Sequence, residues 1–96
     1  MTIVVNHLHL REPVDEETLH TARAAMQRVV DAGSLEARVV QVDDTHLIVV
    51  LEFAEPDDAD RIARDVGGPW MREHILPLLE RGPERSVGEI IASAKA

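Results

Sequence analysis

The segment His46–Phe53 (HLIVVLEF) is apolar on both faces from Leu47 to Leu51. A strand of that kind lies at the centre of a sheet or is covered on both sides, since a half-exposed strand alternates apolar with polar residues. Before it comes a second β-rich run, residues 35–42 (LEARVVQV), joined by the short polar turn Asp43-Asp44-Thr45. Two runs joined this way read as a hairpin. A third run, residues 3–10 (IVVNHLHL), puts Val4, Asn6, Leu8 and Leu10 on one face. Ile3, Val5, His7 and His9 fall on the other.

Helices fill the gaps between strands. Pro13 breaks the first strand, Asp15 is a suitable N-cap, and Glu16 and Glu17 suit the positive end of a helix dipole. Leu19, Ala22, Met26, Val29 and Val30 then recur at helical spacing up to Gly33, predicting a helix over 15–32. A second helix opens at Glu55-Pro56, carries Ala59, Ile62, Ala63 and Val66 as its stripe, and is expected to end at Gly67-Gly68. Pro69 begins a further helical piece, PWMREHILPLLERG, in which Met71, Ile75, Leu78 and Leu79 share a side and Pro77 predicts a kink. Residues 84–92 (ERSVGEIIA) read as a last strand, weakened by Gly88, and residues 93–96 as a frayed tail.

Composition removes several function classes. The 96 residues suffice for a single domain, 1–96. Eighteen acidic against ten basic residues, a formal charge of −8, argue against nucleic-acid binding, which needs clustered Lys and Arg. The absence of cysteine excludes disulfides, thiolate catalysis and Cys-ligated zinc. No run approaches the ~18 apolar residues of a membrane span, and MTIVVNHLHL lacks the basic start of an export signal. A cytoplasmic protein is the expectation.

The order β-α-β-β-α-β is the split βαβ pattern of an α+β, ferredoxin-like domain, a four-stranded antiparallel sheet with both helices on one face. Right-handed crossovers set the first and third strands side by side at its centre. Ile3, Val5, Ile48 and Val50 then make the uncovered face apolar. A second copy stacked sheet to sheet would bury it, so a homodimer is expected.

With VVNHLHL, FAEPDDADRIA and GGPWMREHILPLL in these places, the chain resembles the dimeric α+β-barrel superfamily, and within it the antibiotic-biosynthesis-monooxygenase (ABM)-like domains. The resemblance implies two protomers closing their sheets into a barrel, each with a pocket between sheet and helices. It also implies an oxidoreductase activity: cofactor-independent oxygenation of phenols to quinones, or oxidative haem degradation. Asn6 followed by Leu8 and Leu10 looks like the haem-degrading branch, where an asparagine here faces the pocket. That branch places an axial histidine well after the pocket tryptophan, whereas Trp70 and His74 are only four residues apart. The phenol-oxidising members commonly use tyrosine, and this chain has none.

Three residues are the candidates for catalysis. Asn6, an amide among Val4, Leu8 and Leu10, needs hydrogen-bond partners, so it orients a substrate oxygen in a pocket or is partly exposed. Trp70, the single tryptophan, suits the mouth of a cavity for a small aromatic ligand, or packs as ordinary core. His74 is a general base, a haem ligand or a surface histidine. Nothing else in the chain activates dioxygen, so a reduced phenolate substrate must itself donate the electron, and no cofactor is called for. His7, His9 and His46 would make a zinc-like or iron-like site if they converged, and interface histidines otherwise. A one-residue slip sends His46 to the opposite face. The competing reading is a non-catalytic, dimeric, small-ligand-binding or accessory domain.

Overall fold

A computed structural model describes residues 1–96. Four strands, β1 (Thr2–His9), β2 (Glu36–Asp43), β3 (His46–Phe53) and β4 (Glu84–Glu89), form one antiparallel sheet in the order β2-β3-β1-β4. The doubly apolar β3 and the opening strand occupy the centre, as their patterns require. Val4, Leu8, Leu47, Val49 and Phe53 are buried beneath the helices. No helix is long and apolar enough to cross a membrane.

Helix α1 (Glu16–Asp31) starts where its cap dictates: Asp15 Oδ1 accepts the Thr18 backbone N–H at 2.8 Å. The Thr18 side chain, ahead of its backbone N–H, holds the Asp15 carboxyl below the usual carboxylate range. Gly33, at φ +124°, supplies the left-handed residue that stops the helix. The buried stripe is Thr18, Ala22, Ala25 and Val29, while Val30 faces outward.

The second helical region corrects the expectation of a break at Gly67-Gly68. Residues 56–78 run on without interruption: α2 (Pro56–Ile62), a π turn (Ala63–Gly67), the short α3 (Gly68–Trp70), a second π turn (Met71–Ile75) and a 3₁₀ turn (Leu76–Leu78). Both glycines keep helical angles, Gly67 at φ −66°, ψ −43° and Gly68 at φ −61°, ψ −49°. Each π turn closes on the residue before a proline, through Gly68 N–H to Ala63 O and Leu76 N–H to Met71 O. A proline has no N–H and its ring collides with the carbonyl four residues back. Widening the preceding turn accommodates both defects without ending the helix. Burial of Trp70 and Ile75 holds the widened run against the sheet.

The last strand is six residues, shorter than the expected 84–92. Its far end is fastened to β1: Thr2 Oγ1 donates to Glu89 Oε1 at 2.8 Å, and the N-terminal ammonium lies 3.4 Å from Glu89 Oε2. The Thr2 hydroxyl, ahead of that ammonium, holds the Glu89 carboxyl below the usual range. This fastening fixes the register that sets Arg85 opposite Asn6.

Candidate functional site

Between the sheet and residues 56–78 lies a cavity of about 180 Å³. Val4, Val49, Leu51 and Phe53 form its floor, Met26 and Val29 one wall, and Ala59, Ala63, Gly67, Gly68, Trp70 and Met71 the roof. Asn6, Pro83 and Arg85 complete it toward β4. A larger hollow of about 480 Å³ between α1 and β2 opens broadly to solvent and holds no imidazole, carboxylate or tryptophan. The smaller cavity gathers the chemistry.

Two of the three candidate residues meet there. Asn6 comes from the helix-facing side of β1, where the alternation placed it, and is half-buried. Trp70 is 4% exposed, and its indole N–H is buried with no hydrogen-bond acceptor. A buried donor left unpaired costs on the order of 1–3 kcal/mol, so this N–H is a local defect in the packing of the ring.

His74 does not join them. It lines a surface hollow with Asp15, Glu17, Thr18, Thr21 and Glu73, its Nε2 3.9 Å from Glu73 Oε2. The π turn Met71–Ile75 carries both His74 and Ile75, and it is Ile75, fully buried, that packs into the core with Trp70. His20 and Arg72 are exposed.

Arg85 is the residue that sequence reasoning passed over. It faces Asn6 across the β1–β4 ladder, lines the cavity, and forms no ion pair. The available signal was alternation in β4, which sets Arg85 and Val87 on the helix side and Ser86 on the other. The cavity lining thus includes Asn6, the ring of Trp70 and, at its exposed β4 side, Arg85, among apolar residues. It contains no imidazole and no carboxylate. A haem does not fit these residues: no histidine faces the space, and about 180 Å³ is below the ~300–1,000 Å³ typical of larger ligand sites.

His7, His9 and His46 do converge, on the opposite face of the sheet. His9 pairs with His46 in the β1–β3 register, and the His7 and His46 ring nitrogens approach to 3.0 Å.

No protein-family model matches the sequence, and no curated protein matches it. Solved structures do. SnoaB, a cofactor-independent oxygenase from Streptomyces nogalater, superposes with TM-score 0.79 at 10% identity over 96% of this chain and 94% of its own. The monooxygenase from the gene ActVA-Orf6 of Streptomyces coelicolor, solved with the ligand nanaomycin D, gives 0.77 at 16% identity over 99% and 91%. An antibiotic biosynthesis monooxygenase gives 0.74 at 11% identity over 96% and 100%. The chain therefore has the α+β, ferredoxin-like fold of antibiotic biosynthesis monooxygenase domains along nearly its whole length. At these identities the likeness is one of fold.

Proposed function

We propose that this protein is an ABM-type, cofactor-independent monooxygenase acting on a small hydrophobic aromatic substrate of the phenol or quinol type. One observation carries the reading: an apolar cavity under residues 56–78, lined by Trp70, with Asn6 and Arg85 among its few polar side chains. A cavity of ~150 Å³ admits a benzene ring. At about 180 Å³ this one takes a single substituted ring, and a polycyclic substrate would extend through the mouth. The guanidinium of Arg85 favours the ionised phenolate, the Asn6 amide bonds its oxygen, and the Trp70 ring packs against the aromatic body. An ionised, reduced substrate transfers an electron to dioxygen. One oxygen atom then stays on the ring as the new carbonyl, and the other leaves as water with the two hydrogens the substrate gives up. The structural neighbours SnoaB, a cofactor-independent oxygenase, and the nanaomycin D complex support the reading by analogy of fold.

The lack of any imidazole or carboxylate in the wall favours a second reading, a non-catalytic domain that binds the same class of ligand. Because Trp70 is the single tryptophan, its fluorescence reports cavity occupancy directly. Titration with a panel of anthrones and dihydroquinones is expected to quench it, with oxygen consumed above the buffer rate. Quenching without uptake selects the binding domain, and neither effect removes both readings. Arg85→Gln is expected to weaken binding at least about tenfold, the size of one hydrogen bond to a charged group.

The same reading includes a homodimer. Ile3, Val5, Ile48 and Val50 are each only half-buried on the open sheet face, and Val40 beside them is 44% exposed. Stacking a second copy there closes a barrel and removes this apolar surface from water. Sedimentation at micromolar concentration is expected to give twice the 10.7 kDa chain mass. A stable species at the chain mass would exclude the barrel.

A further inference from the structure

The open sheet face is divided along the strands. Ile3 and Val5 make the β1 half apolar, and His7 and His9 fill the other half beside His46 of β3 and Glu84 of β4. The imidazoles are closely set. His7 Nδ1 lies 3.0 Å from His46 Nε2, and the His9 and His46 rings stack with centroids 4.4 Å apart, tilted by 24°. His9 Nε2 is 3.4 Å from Glu84 Oε1. This cluster faces away from the cavity, and the proposed oxygenation makes no use of it.

We propose that His7 and His46 form a chelating site for a borderline divalent transition metal, Cu²⁺ above Zn²⁺, at this end of the sheet. Imidazole is the donor that suits these ions, and Cu²⁺ stands highest in affinity for such nitrogen ligands. Two imidazole nitrogens bound at about 2.0–2.1 Å to one ion lie roughly 2.9 Å apart at a right angle and roughly 3.4 Å apart at the tetrahedral angle. The 3.0 Å between His7 Nδ1 and His46 Nε2 falls inside that window. One of these facing nitrogens donates to the other; on binding, that imidazole carries its proton on its other ring nitrogen, so both facing nitrogens offer lone pairs to the ion.

No group of three His or carboxylate donors is already gathered into a cage. Two imidazoles therefore anchor the ion at the polar end of the face on which the proposed dimer stacks, and water held at that end completes its shell. The ring of His9 packs against His46 and limits its rotation, and Glu84 brings a carboxylate charge near the bound cation. The backbone ladder supplies the preorganisation: β1 and β3 are the two central strands, paired without a bulge from Thr2 to His9.

Titration of the full chain with Cu²⁺, followed by electron paramagnetic resonance, tests this. One ion per chain is expected, with superhyperfine coupling from two imidazole nitrogens. His7→Gln and His46→Gln should each weaken binding at least tenfold, His20→Gln should leave it unchanged, and Mg²⁺ should not compete. Glutamine keeps a polar side chain of similar size, and circular dichroism checks that each variant folds. The wild-type chain gives a measurement that depends on no variant: Cu²⁺ should broaden the amide resonances around residues 7 and 46 first. Undiminished affinity in both glutamine variants, a spectrum without nitrogen coupling, or broadening centred elsewhere overturns the site.

Discussion

Trp70→Ala should destabilise the fold by about 3–5 kcal/mol, the usual result of deleting a fully packed aromatic ring. Against a total stability of roughly 5–15 kcal/mol for a domain, that is enough to leave a large unfolded fraction on mild heating. The ring packs in a core with Leu8, Leu10, Leu47, Val49, Ile75 and Leu79, joining β1 and β3 to the residue 56–78 run. Trp70→Phe separates the two tasks of this side chain. It keeps most of the apolar packing and removes an N–H that has no acceptor, so relief of about 1–3 kcal/mol offsets the weaker packing of the smaller ring. Urea denaturation should place Trp70→Phe within about 1 kcal/mol of wild type and Trp70→Ala far below it. Ligand binding, read by calorimetry because the fluorophore is gone, should be largely kept in Trp70→Phe, which retains an aromatic ring beside the cavity. A loss of binding in Trp70→Phe as large as in Trp70→Ala would show that the ring's packing plays no part in recognition.

The adjacent glycines should respond to alanine with opposite signs. Both have helical backbone angles, where alanine ordinarily stabilises by about 1 kcal/mol. At Gly67 a methyl group would meet only the Ile62 carbonyl oxygen at 3.8 Å, an ordinary van der Waals distance, so the gain is realised. At Gly68 it would lie 2.6 Å from the Ala63 carbonyl oxygen and 3.2 Å from Arg72 Nη1. The oxygen is the acceptor that closes the first π turn, so the backbone must open for the methyl to fit. Overpacking of this kind costs about 1–3 kcal/mol, which exceeds the helix-propensity gain. Thermal melts should rank Gly67→Ala above wild type and Gly68→Ala below it, by a few degrees in each direction. Because Gly68 also roofs the cavity, its alanine variant should weaken ligand binding as well. A Gly68→Ala protein as stable as wild type would mean the π turn is not under this constraint.

Much of this architecture is legible in short windows of sequence. Apolar residues on both faces of 46–53 marked the centre of the sheet, and the alternation in 3–10 put Asn6 on the side that the helices cover. Asp15 and Gly33 bracketed the first helix to within a residue at each end. Gly67-Gly68 misled because glycine stops a helix only where it takes left-handed angles. Here the packing of Trp70 and Ile75 holds the chain helical through both positions.

The site was legible in part. Asn6 and Trp70 declared themselves as polar or aromatic groups in apolar settings, and both line the cavity. Of the roles open to His74, the structure favours the surface one, in a hollow beside Glu73. Arg85 was missed because a basic residue in a weak terminal strand reads as solvated. Its importance comes from a ladder partner far away in the chain.

From its own periodicities the chain specified which segments are strands or helices and which face of each is apolar. Those properties depend on residues two to four positions apart. Only the folded chain decided the cross-strand registers, which bring His46 beside His7 and Arg85 beside Asn6. Register is a long-range quantity, fixed when whole faces bury together, and a slip of one residue would reverse every side chain concerned.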